Sequence, residues 1–218
     1  MKLIYTASQV REAEKPYIEA ADYDGYLMQR AADAVAAEAQ ELLHGKDTAK
    51  ILLLIGPGNN GADTIYAGAR LSAKGHRVDA VIFDPSEKNL ELIAREGGEG
   101  TRVLDPEHTL EHLAGYDLTI DGILGTGSSG AVRGNAGEYL GVLRAAQLDG
   151  KLGAVLAVDT PSGVDNNRGT VHEPSLHADR TVTFIGHKLP AGTSHSVHSG
   201  DIKLYDLGVP EALDAHKP

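Results

Sequence analysis

Residues 50–55 read Lys-Ile-Leu-Leu-Leu-Ile and run straight into Gly56-Pro57-Gly58-Asn59-Asn60-Gly61. A short run that is apolar on both faces suits a strand covered on both sides, as in a parallel sheet. The glycines end the strand, and helical spacing begins near residue 60. Parallel neighbours need crossover connections, so strands and helices should alternate along the rest of the chain. The sequence predicts strands at 77–83, 101–104, 117–120, 152–158, 181–184 and 202–205. Helices are expected at 60–74, 88–96, 106–114 and 138–147. Ahead of this series, Thr6 and Gln9 form a capping box that starts a helix near residue 7, with Pro16 as its stop. A second helix is expected over 24–43, with Leu27, Ala31, Val35 and Leu42 on one face and Gly45 as terminator. The expectation is an α/β protein with an open, mostly parallel sheet and helices on both faces. Ligands of such sheets sit at the carboxyl ends of the strands.

Length and composition narrow the classes. A chain of 218 residues is close to one domain at about 150 residues per domain. The formal net charge of −11 argues against a nucleic-acid backbone or an anionic membrane surface as main partner. No Cys is present, which excludes thiolate catalysis, disulfides and cysteine zinc sites. There is no signal-like or transit-like start and no apolar run long enough for a membrane span. A soluble, cytoplasmic protein is expected.

Four segments that follow predicted strands carry the chemistry. Gly56 to Gly61 matches G-x-G-x-x-G in a strand–turn–helix context, with Asp84 about 20 residues on. Glycines let a backbone approach a pyrophosphate, and the helix start supplies unpaired N–H donors. A nicotinamide dehydrogenase is the first reading, but Asn59, Asn60 and Asp63 crowd the loop with oxygens where a phosphate wants donors. Asp121-Gly-Ile-Leu-Gly125-Thr126-Gly127-Ser128-Ser129-Gly130-Ala131 is a second glycine-rich loop, and a strand-end carboxylate there reads as a cation ligand or an anchor. Asp159-Thr-Pro161-Ser162-Gly163-Val-Asp165 is a rigid turn after the 152–158 strand. Lys188 lies in a Gly/Pro-flanked loop where it could meet a phosphate. Asn60, Asp121 and Ser162 together offer only oxygen, the donor set of a hard cation.

Two histidine features are weighed as decoys. His108-Thr-Leu-Glu111-His112 has inverted zinc-protease spacing. It precedes the 117–120 strand and so sits at the wrong edge of the sheet. His187, His195 and His198 share a loop and read as surface residues.

Taken in order, TASQVREAE, LMQRAA at 27–32, GPGNNGAD at 56–63, DGILGTG at 121–127, AVDTPSGVD at 157–165 and TVTFIGHKLPAGT make the chain resemble the NAD(P)H-hydrate epimerase family, the YjeF N-terminal domain. The resemblance covers nearly the whole chain. It implies a Rossmann-like, three-layer αβα sandwich forming one domain over 1–218, with 211–218 as a tail or linker stub. It implies interconversion of the R and S forms of NADHX and NADPHX, nicotinamides hydrated at C6. It further implies substrate contacts from Asn59, Asn60, Gly61, Ala62 and Asp63, and a phosphate wrap by Gly125, Thr126, Gly127, Ser128, Ser129, Gly130 and Ala131. Asp159 would lie at the hydrated ring, assisted by Lys188. A potassium ion would be held by Asn60, Asp121 and Ser162. The resemblance also implies a homodimer, with the apolar face of the 24–43 helix as candidate contact, and an ADP- or ATP-dependent dehydratase as functional partner. Ala62 and Thr64 stand where the family usually has glycine, and Gln29-Arg30 where it has Glu-Asn. Ala62 would put a methyl beside the phosphate path. The alternatives are a Rossmann dehydrogenase and a non-catalytic dimeric scaffold or nucleotide-binding module, the scaffold being expected to lose these loop oxygens and the strand-end Asp.

Overall fold

The computed structural model describes residues 3–97, 100–125, 127, 129–188, 197–209 and 211–216. The chain forms β1 (Ile4–Tyr5), α1 (Ala7–Ile18), α2 (Tyr26–Leu42), β2 (Lys50–Ile55), α3 (Asn59–Ala73), β3 (Arg77–Ile82), α4 (Glu87–Glu96) and β4 (Thr101–Val103). It continues with α5 (Pro106–Leu110), β5 (Leu118–Gly122), α6 (Gly134–Leu148), β6 (Ala154–Val158), β7 (Arg180–Phe184), β8 (His187–Lys188) and β9 (Asp201–Tyr205). Seven strands make one parallel sheet in the order β4-β3-β2-β5-β6-β7-β9. The order reverses at β2, which pairs β3 on one side and β5 on the other. Ile55 lies opposite both Ile82 and Gly122, so these strands end level. The crevice beyond that reversal is where such sheets bind ligands.

Each face of the sheet has its own core, set by the period of two along a strand. Ile51, Leu53 and Ile55 pack with α2, α3, Val10 and Ala13 of α1, and Leu92 of α4. Leu52 and Leu54 point the other way, onto Tyr139, Leu140 and Leu143 of α6. The five apolar side chains of β2, Ile51 to Ile55, are fully buried. At about 1.5–3 kcal/mol for each buried aliphatic side chain, this strand alone accounts for much of the hydrophobic stabilisation of the sheet centre.

The capping box predicted at the first helix is present, with Gln9 N donating to Thr6 Oγ1 at 3.2 Å and Thr6 N to Gln9 Oε1 at 2.8 Å. That helix does not stop at Pro16 but runs to Ile18. Pro16 removes only its own amide donor, and Glu19 N still reaches Lys15 O at 3.0 Å. Helix α6 begins four residues before its expected start, because Ala136 and Gly137 are buried against the sheet and hold the first turn. Strands β1 and β8 pair in parallel over two residues each, too short a stretch to show a period in sequence. Leu27, Ala31 and Val35 of α2 are buried in this chain's own core, while Leu42 is only partly covered. The helix face expected as a dimer contact is therefore occupied within the chain. Arg30 donates to Leu207 O at 2.7 Å and Gln29 Oε1 accepts from Arg70 at 2.8 Å, so this pair also acts within the chain. In the segment 211–216, read from sequence as a tail, Ala212 and Leu213 belong to the core. No described helix is long and apolar enough to cross a membrane.

Candidate active site

The turn after β2 is built on close approach. A Cβ on Gly56 would lie 1.8 Å from Ile123 O, and one on Gly61 would lie 2.0 Å from Gly56 O. Asn89 Nδ2 holds the turn by donating to Gly56 O at 2.9 Å and Gly58 O at 3.2 Å. Both glycines are thus required by packing, before any ligand is considered. Helix α3 then turns Asn59, Asn60 and Asp63 toward a cleft, and Ala62 and Ile65 toward the core. Ala62 is fully buried, so its methyl does not border a phosphate path; the 3.6-residue period sends position 62 inward. Neither Gly61 nor Ala62 lines the cleft. Thr64 is also fully buried, with Oγ1 donating to Asn60 O at 2.8 Å and filling the space over Gly122. Asp84 is exposed beyond β3 and does not line the cleft either.

The loops after β5 and β6 are joined through oxygens. Asp121 is fully buried and accepts from Ser162 Oγ at 2.6 Å, Ser162 N at 2.8 Å and Ile123 N at 3.3 Å. Ser162 Oγ in turn accepts from Leu124 N at 3.0 Å. Asn60 Nδ2 donates to Leu124 O at 3.1 Å and Val158 O at 2.6 Å, which ties α3 to both loops. Burial pushes the Asp121 carboxyl above its usual range, only partly offset by its hydrogen bonds. A buried carboxylate whose hydrogen-bond partners are all neutral is the condition a hard cation relieves. Asn60, Asp121 and Ser162 fit a hard cation by donor type, and Asp121 and Ser162 also by burial. Gly125 packs directly on the Asn60 amide, where a Cβ would lie 2.1 Å from Nδ2. Gly127 adopts φ +109° under the Arg11 guanidinium, and a Cβ there would lie 2.3 Å from Arg11 Nη1. Ser129, Gly130 and Ala131 are partly or fully exposed and do not line the cleft, and Thr126 and Ser128 lie outside the described residues.

Asp159 follows β6 in a left-handed conformation, φ +65°, held by Asp159 N donating to Val182 O at 2.6 Å. This conformation is uncommon outside glycine, and Asp is among the residues that tolerate it. Lys188, on β8, brings Nζ to 2.5 Å from Asp159 Oδ1. The ammonium also donates to Thr183 Oγ1 at 3.0 Å and Phe184 O at 3.3 Å, and Thr183 Oγ1 donates to Asp159 Oδ1 at 3.0 Å. Lys188 is 4% exposed, so it is a buried ion-pair partner rather than a loop cation. Breaking such a pair from one side costs about 3–5 kcal/mol, since the other charge stays buried.

These pieces meet in one cleft of about 160 Å³, bordered by Asn59, Asn60, Asp63, Asp159 and Lys188 together with Arg11, Glu14 and Tyr23. That volume suits one ring with its substituents; whole drug-sized ligands need several hundred Å³. Burial pushes the Asp63 carboxyl well above its usual range, with further elevation from the Asp159 and Glu14 charges and a smaller opposing effect of Lys88. Burial also raises Glu14, against the pull of Lys188. Glu14 and Arg11 lie within the TASQVREAE segment, which carried no site role in the sequence. Their i, i+3 spacing beside buried Val10 places them on one helix face, but nothing local says which strand ends that face overlooks.

His108, Glu111 and His112 bring ligand atoms within 4.8 Å of one another on α5 and the turn after it. All three are exposed and none lines the cleft. His198 pairs with His177, Nε2 to Nε2 2.9 Å, rather than with His187; His195 is outside the described residues. Gln147 of α6 anchors His177 through its backbone, Oε1 accepting from His177 N at 3.0 Å and Nε2 donating to His177 O at 2.6 Å.

Comparison with known proteins follows the same outline. The YjeF-related protein N-terminus family matches residues 25–189. An NAD(P)H-hydrate epimerase of Microbacterium testaceum is 35% identical over 98% of this chain and 82% of its own length. The bifunctional NAD(P)H-hydrate repair enzyme Nnr of Mycobacterium tuberculosis is 31% identical over 96% of this chain, but this chain spans only 42% of it. The crystal structure of yeast YNL200c superposes with a TM-score of 0.75 over 94% of this chain and 87% of that one, at 20% identity, and shows the same fold. The chain belongs to the YjeF-related protein N-terminus family.

Proposed function

We propose that this chain interconverts the R and S forms of NADHX and NADPHX at the cleft above β2, β5 and β6. The observation that carries the reading is the buried Lys188–Asp159 pair, set in a ring-sized cleft whose other wall is the Asn59–Asp63 turn. The M. testaceum relative named NAD(P)H-hydrate epimerase, matched over nearly the full chain, supports the same reading.

C6 of the hydrated ring carries a hydroxyl and is bonded to the ring nitrogen, so it is a hemiaminal carbon. The nitrogen lone pair can expel the hydroxyl, and water can return to either face. Ring opening to an aldehyde is the equivalent route. Both need a positioned proton donor and acceptor, worth about 10²–10⁴-fold. Asp159 is the acceptor in this reading. Lys188 and Thr183 fix its carboxylate through Oδ1. In this reading the ring occupies the cleft, and the ribose and pyrophosphate extend past Gly127, where Arg11 lies. Asn60, Asp121 and Ser162 would hold a potassium ion, which when bound would neutralise the buried carboxylate and add positive charge below the phosphate path. A homodimer and an ADP- or ATP-dependent dehydratase partner, the latter suggested by the bifunctional relatives, belong to the same proposal.

The test is conversion of purified R-NADHX to the S form, followed by chromatography with and without potassium. Conversion well above the spontaneous rate supports the reading. A rate equal to the spontaneous one, with NADHX and NADPHX and potassium present, overturns it.

A further inference from the structure

The cleft holds three carboxylates and not one. Asp159 is paired with Lys188, and Glu14 lines the cleft from α1 under the charges of Lys188 and Arg11. Asp63 is different: it is 7% exposed, it borders the cleft from α3, and among the described residues no basic side chain is hydrogen-bonded to it. Its charged surroundings are Asp159 from the end of β6, Glu14 from α1 and the exposed Lys88 of α4, with Lys188 of β8 held by Asp159. Two carboxylates in one site with contrasting surroundings are the usual arrangement of an acid and a base. Desolvation and two neighbouring carboxylates push the Asp63 carboxyl well above its usual range, which favours its proton-bearing form, and that form does not repel a phosphate-bearing ligand.

Resting on the epimerase reading above, we infer that Asp63 is the second proton-transfer group of the reaction, giving its proton to the C6 hydroxyl as that group leaves. The proton moves from the Asp63 carboxyl to the hydroxyl oxygen. The C6–O bond breaks with both electrons on oxygen, releasing water, and the ring-nitrogen lone pair becomes the N1=C6 π bond. Water then bonds to C6 on the other face through an oxygen lone pair, the π electrons return to nitrogen, and the surplus proton passes to Asp159. No atom is oxidised or reduced. The enzyme finishes with Asp63 ionised and Asp159 protonated, and exchange with solvent resets it. The reverse conversion uses the two groups with roles exchanged.

The experiment measures kcat and KM for R-NADHX across pH in potassium buffer, for the full chain and for its Asp63→Asn and Asp63→Glu variants. The expected result is a fall in kcat of about 10²–10⁴-fold for Asp63→Asn, with KM changed only a few-fold and part of the rate restored in Asp63→Glu. Wild-type kcat should also fall as pH rises and Asp63 loses its proton, a limb missing from the residual rate of Asp63→Asn. A packing role for Asp63 would move stability and KM without abolishing that limb. Wild-type kcat in Asp63→Asn overturns the inference and leaves the epimerase reading standing. Absence of conversion by the wild type overturns both. Should Asp63→Asn fail to fold, the wild-type profile decides: a kcat that stays flat into alkaline pH overturns the inference.

Discussion

Lys188 and Asp159 illustrate what one residue's surroundings do to its role. In sequence Lys188 is a lone cation between glycine and proline; in the fold it is buried on Asp159, Thr183 and Phe184 O. Lys188→Met should lower epimerisation at least about 100-fold and destabilise the fold by about 3–5 kcal/mol, because it strands a buried carboxylate. Urea unfolding and steady-state kinetics check both. A variant that loses neither would remove the pair from the site. Asp63 gives a prediction of opposite sign. Its folded-state pKa lies above its unfolded value. The stability it contributes is therefore complete below the unfolded value, at about pH 4, and is lost as pH rises through the folded one. Asn does not titrate, so the Tm of Asp63→Asn relative to wild type should climb as pH rises above about 4. A Tm difference that is constant with pH contradicts this. Most strand-end oxygens were legible in the sequence, since a carboxylate or amide just after an apolar run needs a reason to be there. Glu14 and Arg11 were not, because a helix shows its own apolar face but not the neighbour that its polar face overlooks.

Elements carry a second kind of constraint. The start of α3 and the end of β5 are fitted to each other through Thr64 and Gly122: a methyl on Gly122 would fall 1.9 Å from Thr64 Oγ1 and 2.9 Å from its Cβ. Gly122→Ala should cost about 1–3 kcal/mol by overpacking. Thr64→Gly in the same chain should recover part of that cost, the remainder reflecting Asn60 O at 3.0 Å. A double-mutant cycle in urea checks the coupling, and strict additivity would contradict it. The sequence marked Thr64 as a departure from the family pattern but not its compensation, which lies 58 residues away. The elements themselves were mostly legible. Long apolar or periodic runs such as 50–55 and 26–42 declare themselves, whereas the two-residue β1–β8 pair and the glycine-rich start of α6 depend on tertiary contacts.

The whole molecule is built on a parallel sheet whose strand β2 is buried on both faces and whose order reverses at that strand, so the fold itself selects the edge at which a ligand binds. The loops at that edge converge on the buried Asp121, and the cation proposed there should act on global stability. Tm should rise in potassium chloride relative to tetramethylammonium chloride at equal ionic strength, and the rise should vanish in Asp121→Asn. An equal Tm in both salts for the wild type would remove the ion from the account. The central claim concerns chemistry at C6, and its most direct test follows the approach of pure R-NADHX to the R/S equilibrium with wild type, Asp159→Asn and no protein side by side. The account predicts fast first-order equilibration with the wild type and a rate near the uncatalysed one with Asp159→Asn. Equilibration by Asp159→Asn at the wild-type rate, or by the wild type at the uncatalysed rate, would contradict it.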